Sequence, residues 1–452
     1  MPSPRGQLAG TTSLWHCLSG QVVRLFQQLD GVRMKRCYPW IICVVAMIML
    51  SISNGMTMTG ITAFDSSLLE EFGWSRGALK FRDMFNLLLA ALLSPFIGAL
   101  IDRVGVRALV LFGSVLLAIL YVAYSQISSI AHVYWIHVGF AAVVVSSGLS
   151  VAVIMVSQWF NTQRGTALGI ALVGSSLGGM LIPKLITALL PAHGWRESFI
   201  WMALLPVALF VLSLVLVRTP QRMGLQPWGH DHPRTAKQQA ASQWPDLSYR
   251  QALCTPTFWA LAVVAITTFW AIMSLSSHLI LHMRDLQFSA ERAADGMFLL
   301  FGLGMVGKFL FGFLADICSP KRVFVCNVAL MALGSLILAS QRAELLWTGL
   351  VVMGLGWGGL YAVLQLQIVD AFGLGSAGKI LGTISLMDAT SAGLGIWLSA
   401  VMFDHFGNYG VAFAVMAAMV CTGLLASLFV RDERRLAWEA GGREGRAPAA
   451  TF

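Results

Sequence analysis

Charge is what this 452-residue chain lacks. Only 11% of its residues are Asp, Glu, Lys or Arg, where a soluble globular domain carries about 25%. Hydrophobic residues make up 57% and mean hydropathy is +0.74, so most of the surface must face lipid. The seven cysteines (Cys17, Cys37, Cys43, Cys254, Cys318, Cys326 and Cys421) are scattered, without the spacing of a disulfide framework or a zinc site. There is no nucleotide-binding P-loop and no nucleophile-and-base pattern, so catalysis, primary pumping and a bound cofactor or metal are not expected. The formal net charge of +9 belongs to no soluble basic domain, which excludes nucleic acid as a partner.

Long apolar runs are abundant instead. A span needs about 20 residues, and twelve such runs occur, near 38–63, 80–101, 107–126, 131–158, 165–190, 198–217, 256–282, 293–315, 321–340, 345–369, 379–402 and 409–430. They lack period-two alternation, and backbone in lipid must satisfy its own hydrogen bonds, so they read as helices. The expected fold class is an all-α membrane protein of twelve transmembrane helices. Basic residues cluster on alternate loops: Lys35 and Arg36, Arg103 and Arg107, Arg164, Arg218 and Arg222, Lys321 and Arg322, Lys379, Arg431, Arg434 and Arg435. The positive-inside rule puts those loops and both termini in the cytoplasm of a cell-membrane protein.

Two blocks repeat about 214 residues apart. Gly98, Asp102 and Arg107 return as Gly312, Asp316 and Lys321; Gly165 and Gly169 return as Gly378 and Gly382. Six spans separate the copies, so both face the same way, as parallel repeats do in many transporters. The organisation read from this is an N-terminal tail (1–37), a six-helix bundle (38–218), a polar connector rich in Gln and Pro (219–255), a second bundle (256–432) and a disordered tail (433–452). Residues 1–33 lack the apolar core of a signal peptide. Their stripe of Leu14, Leu18, Val22, Leu25, Phe26 and Leu29 suits a membrane-surface helix, while Met34-Lys35-Arg36 also reads as a natural start.

The block Gly98, Asp102, Arg103, Gly105, Arg107 resembles the loop signature between helices 2 and 3 of the major facilitator superfamily; the second copy is degenerate, with Ile317 and Ser319 in place of Arg103 and Gly105. Three further motifs are similar to the monocarboxylate transporter and oxalate/formate antiporter branch. They are Glu71 to Arg76, Gln158-Trp159-Phe160 with Arg164-Gly165, and Gly194-Trp195-Arg196. The resemblance spans roughly residues 38–432. It implies two six-helix halves rocking in alternating access, with the loop signature steadying the outward-facing state. Glycines on helix 5 (Gly165 to Gly179) and helix 10 (Gly354 to Gly359) are suited to close helix contacts.

Ionisable groups at mid-membrane depth are costly and usually functional. Lys308 lies eight residues before Asp316, roughly 12 Å along a helix. The resemblance implies that it stands where the branch carries a carboxylate-binding arginine. The branch's aspartate one turn earlier is replaced by Gly304, and no basic residue stands in mid-helix 11, which disfavours a dicarboxylate. Asp388 on helix 11 is the candidate proton carrier, or else the partner of Lys308 in a fixed structural pair. Trp357 and Tyr361 share a face of helix 10 and are candidate cavity walls. Asn54, Ser147 and Gln365 are candidates for substrate hydrogen bonds or for packing between helices. Arg82 with Asp83, and His278 with His282, read as interfacial. The expectation is a monomeric secondary transporter for a small organic anion, a monocarboxylate, with proton symport. Its rivals are an efflux carrier or anion exchanger for amphipathic compounds, and a non-transporting receptor on a transporter scaffold.

Overall fold

The computed structural model describes residues 33–229, 246–373 and 375–444. The whole N-terminal stripe and the centre of the connector lie outside them. Among the described residues eleven helical runs are long and apolar enough to cross a bilayer. One of these, Arg164–Leu216, has 53 residues, about 80 Å at 1.5 Å per residue, against a hydrocarbon core of about 30 Å. It is two spans joined at Gly194, whose φ of 64° and ψ of 176° lie outside helical values. A positive φ is a conformation that glycine alone adopts freely.

The molecule is therefore the expected twelve-helix bundle. We label the spans α1 (Cys37–Phe72), α2 (Arg76–Val104), α3 (Val106–Tyr124), α4 (Ile130–Ser157), α5 (164–193), α6 (195–216), α7 (Pro256–Asp285), α8 (Ala290–Ile317), α9 (Pro320–Ala339), α10 (Leu346–Phe372), α11 (Ala377–Phe406) and α12 (Gly410–Leu428). A further helix, α13 (Glu433–Glu444), corrects the expectation that the C-terminal tail is unstructured from 433 onward. Arg434 pairs with Asp246 at 3.2 Å, and Asp246 also accepts from the Gly375 amide at 2.8 Å. The end of the connector thus ties α13 to the α10–α11 loop.

Close packing follows the glycines. In lipid the hydrophobic effect does little between helices, so small residues that admit backbone contact carry the association. A Cβ on Gly178 of α5 would lie 2.9 Å from the Gly55 Cα of α1, and one on Gly358 of α10 would lie 2.9 Å from the Gly304 Cα of α8.

Among the described residues the contacts between the halves gather from the α1–α2 loop end to the middle of the bundle. Near the α1–α2 loop, the Gly77 amide donates to Asp404 at 2.6 Å, Phe81 packs edge-on against Trp397 and Met84 sits over Gly393, all between α2 and α11. On the other flank Lys184 of α5 pairs with Asp295 of α8. At the opposite end the relation fails. The last three to four turns of α2 expose Leu92, Phe96, Leu100 and Val104, and 97–104 makes no comparable contact with α11. Cβ atoms added at Gly98, Gly165, Gly169, Gly312, Gly378 or Gly382 would meet nothing within 4 Å. The bundle is shut at the end bearing the α1–α2 loop and open at the end bearing the α2–α3 loop.

Candidate functional site between the two halves

Lys308 lies at the junction of the halves. It is half-buried on α8, and its Nζ reaches across to α5, donating to Ser176 Oγ at 2.8 Å, Ser175 Oγ at 3.1 Å and the Leu172 carbonyl at 3.1 Å. All three acceptors are neutral. The Trp357 ring of α10 lies 5.8 Å from Nζ and packs edge-on against Phe301 at 5.1 Å. The same indole explains Gly304: a Cβ there would lie 2.7 Å from the ring. The space that an acidic neighbour of Lys308 would need is filled by Trp357.

The Lys308–Asp388 pair considered from the sequence is not formed. Lys308 has no carboxylate partner among the described residues. Asp388 is buried at 5% exposure on α11. Its surroundings come from α10, where the Tyr361 hydroxyl lies within electrostatic range of Asp388 and within reach of Ser385 and Gln365, with its ring edge-on to Phe269 of α7. Trp357 and Tyr361 are one helical turn apart on α10, Trp357 near Lys308 and Tyr361 near Asp388.

The remaining polar candidates separate. Gln365 belongs to the Tyr361 group. Asn54 is the last α-helical residue before a π-helical turn, Gly55–Thr59, a distortion common at functional sites; Tyr121 Oη donates to the Met56 carbonyl within it at 2.7 Å. Ser147 is buried where α4 meets α1 and α3. α4 breaks at Gly148, where ψ is −159°; the Ser147 carbonyl instead accepts from Ser53 Oγ of α1 at 2.7 Å, and its side chain fits against Gly113 of α3.

The loop signature is undocked in this conformation. Asp102 and Arg103 are exposed and have no ion-pair partner among the described residues. Gly105 takes a φ of 82°, and Arg107 donates to the Leu214 carbonyl. Asp316 closes the last turn of α8. Two of the other motifs prove to be one contact: Glu71 accepts from Trp195 Nε1 at 2.5 Å and from Arg196 at 2.7 Å, joining the end of α1 to the start of α6. Trp159 donates to the Arg218 carbonyl at 3.1 Å and packs on Tyr38, so its motif anchors the α4–α5 turn.

A second charged cluster was misread. Arg82 and Asp83, expected at the interface, are buried, Arg82 completely so, because α2 begins at Arg76 and turns them inward. Arg82 pairs with Asp65 of α1 and donates to Tyr124 Oη of α3 at 3.0 Å. Lys80 lies 2.5 Å from Asp65 and 3.5 Å from Asp83, and its Nζ donates to the Ser277 carbonyl of α7 at 2.6 Å. His137 Nδ1 of α4 lies 3.9 Å from Asp83. Two acids and two bases balance in this largely buried site, which is how buried charges are tolerated. His278 is likewise wholly buried, between Tyr409 Oη at 3.0 Å and the Ile396 carbonyl at 2.8 Å, and His282 is nearly so, edge-on to Phe413. Beside them Arg76 of α2 forms a two-pronged pair with Asp285 of α7 and lies 3.6 Å over the Phe403 ring.

Comparison with known proteins agrees with this architecture. The family model described as Major Facilitator Superfamily matches residues 43–307 and 283–452. The chain is 23% identical over 397 residues to the oxalate:formate antiporter of Oxalobacter formigenes, covering 86% of this chain and 91% of that protein. It is 25% identical over 340 residues to monocarboxylate transporter 13 of Rattus norvegicus, covering 73% and 74%. Among solved structures, a D-xylose-proton symporter superposes with a TM-score of 0.67 at 16% identity, over 87% of this chain and 97% of that one. A bacterial homologue of the lysosomal transporter Spinster in an inward-facing, occupied conformation gives 0.66 at 18%, over 93% and 100%.

Proposed function

Because this chain belongs to the major facilitator superfamily of membrane transporters, its cation between the halves calls for a substrate, and we propose that it carries a small organic monocarboxylate by alternating access with proton symport. One observation carries the reading: Lys308 is held at the junction of the halves by neutral oxygens alone. An ammonium in a low-dielectric site gains much from an anion, and among the described residues no carboxylate pairs with it. One cation suits one carboxylate. Trp357 and Phe301 beside it would receive a short apolar or aromatic tail. Asp388 is the proposed proton carrier, with Tyr361 and Gln365 as its polar neighbours.

In this reading the basic loops and both termini face the cytoplasm of a cell membrane. The open end at the α2–α3 loop then makes the conformation inward-open, with the loop signature released as expected for a device that steadies the opposite state. The names of the oxalate:formate antiporter and of monocarboxylate transporter 13 support an organic anion as the cargo class.

The test is uptake of labelled monocarboxylates into proteoliposomes, with and without an imposed pH gradient. Accumulation driven by the gradient in wild type, lost in Lys308→Ala and partly kept in Lys308→Arg, is the expected result. Transport by the alanine variant at the wild-type rate would make Lys308 structural. Counterflow without gradient-driven accumulation would make the protein an exchanger.

A further inference from the structure

We infer that Ser175 and Ser176 of α5 complete the carboxylate site, so that the bound anion is held jointly by the two halves of the molecule. The inference rests on the proposal that Lys308 binds the carboxylate. It starts from how the ammonium is satisfied without one. An ammonium has three donors and no acceptor, and the three go to the Leu172 carbonyl, Ser175 Oγ and Ser176 Oγ. The serines therefore accept from Lys308, and each hydroxyl still has its own hydrogen to donate. Ser175 places it on the Leu172 carbonyl, at 2.9 Å. Ser176, at 1% exposure, accepts at 2.8 Å from Lys308 and donates to no acceptor among the described residues.

A buried donor left without an acceptor, next to a cation left without an anion, is one ligand short. A carboxylate oxygen entering there receives a charge-assisted bond from Nζ and a second bond from the Ser176 hydroxyl. Rotation of the Ser175 hydroxyl away from Leu172 supplies a third donor. Charge-assisted bonds of this kind are about twice as strong as neutral ones, so the exchange of neutral acceptors for an anion is favourable. The rest of the ligand meets Trp357, 5.8 Å from Nζ, and Phe301, which packs both on that indole and into the notch at Gly179 of α5. The ligand class is a monocarboxylate with a short apolar or aromatic tail. Neither the described part of the cluster nor its aromatic wall offers a second cation for a second carboxylate.

The consequence lies in the cycle. Lys308 belongs to the second half and the serines to the first, so their bonds exist only while α5 and α8 are close. In the empty protein the Lys308–serine bonds fasten this seam directly. With the anion present the seam is fastened through the ligand. Ligand binding is then coupled to the relative position of the halves by contacts that differ between conformations, which is what a ligand needs in order to shift such an equilibrium.

The experiment measures ligand-induced thermal stabilisation of the full-length protein in detergent. Acetate, pyruvate, lactate, phenylacetate and benzoate are titrated against wild type and the variants Lys308→Ala, Ser175→Ala, Ser176→Ala and Ser176→Thr. For whichever acids stabilise wild type, Ser176→Ala is expected to raise the apparent Kd tenfold or more and Ser175→Ala about threefold. Ser176→Thr, which keeps the hydroxyl, is expected to stay within about threefold of wild type, a rescue that a merely structural role would not require. The methyl ester of the best acid is expected not to bind. If Lys308→Ala loses binding while both serine-to-alanine variants bind as wild type, the joint site is wrong and the Lys308 site stands. If Lys308→Ala binds as wild type, or none of the acids stabilises wild type, the monocarboxylate site itself falls and this inference with it.

Discussion

Lys80 of α2 donates to the Ser277 carbonyl of α7 at 2.6 Å, and this bond crosses from one half of the molecule to the other. Behind it stand Asp65, Arg82 and Asp83, with Tyr124 and His137 closing the cluster. The shut end of the bundle is fastened by a charge that is itself held in place by buried carboxylates, so closure and internal electrostatics depend on each other.

Removing that charge should be costly. Lys80→Met leaves two buried carboxylates facing one cation, and breaking a buried pair typically loses about 3–5 kcal/mol. A markedly lower melting temperature in detergent is expected. Ser277→Ala keeps the carbonyl and every ion pair and gives up only its hydroxyl contacts, so its loss should be about 1 kcal/mol. Equal melting of Lys80→Met and wild type would show that the cluster does not hold the fold.

Arg76 fastens the same end nearer its surface, through Asp285, Tyr409 and Phe403. Arg76→Ala should let the end open without unfolding the halves. Spin labels at Ser66 and Gln287, on opposite sides of that seam, should report longer distances in the variant. An unchanged distance distribution would mean that α2 and α11 hold the end shut without Arg76.

The open end predicts a different phenotype. A side chain at Gly98 meets nothing in this conformation, so Gly98→Val fits here and can clash only when the halves close. Gly98→Val and Asp102→Asn should lower the maximal transport rate several-fold while changing substrate affinity little. A large loss of affinity at an unchanged rate would contradict this.

Asp388→Asn should separate coupling from translocation. With no proton to carry, accumulation driven by a pH gradient is expected to vanish while exchange of labelled for unlabelled substrate survives in the same proteoliposomes. Tyr361→Phe, which removes the nearby hydroxyl, should weaken coupling less. Full accumulation by the asparagine variant would move the proton site elsewhere, with Asp83 the next candidate.

The helices were legible because each buries or presents to lipid a run of apolar residues, a signal that needs no partner. Gly194 illustrates the limit: the break between α5 and α6 depends on one backbone angle, yet the sequence placed two spans there from their lengths. Lys308 was legible as a lone charge deep in a span. Its partners were not, because serines in a glycine-rich helix look like packing. The Asp65–Lys80–Arg82–Asp83 cluster was hidden for a related reason. Hydropathy weighs each charge alone and assigns one near a helix end to the interface, whereas pairing across helices is what carries these charges inside. Asp65 was further obscured because π and 3-10 turns continue α1 past its apolar run to Phe72.

Trp357 occupying the volume beside Gly304 has a consequence for related sequences. An acidic side chain at 304 and an indole at 357 compete for one space, so the two positions should change as a couple. Relatives with aspartate at the first should carry a smaller residue at the second. A graft of the acid alone into this chain should fail where the double exchange succeeds. Two sites on different helices would then constitute a single inherited unit.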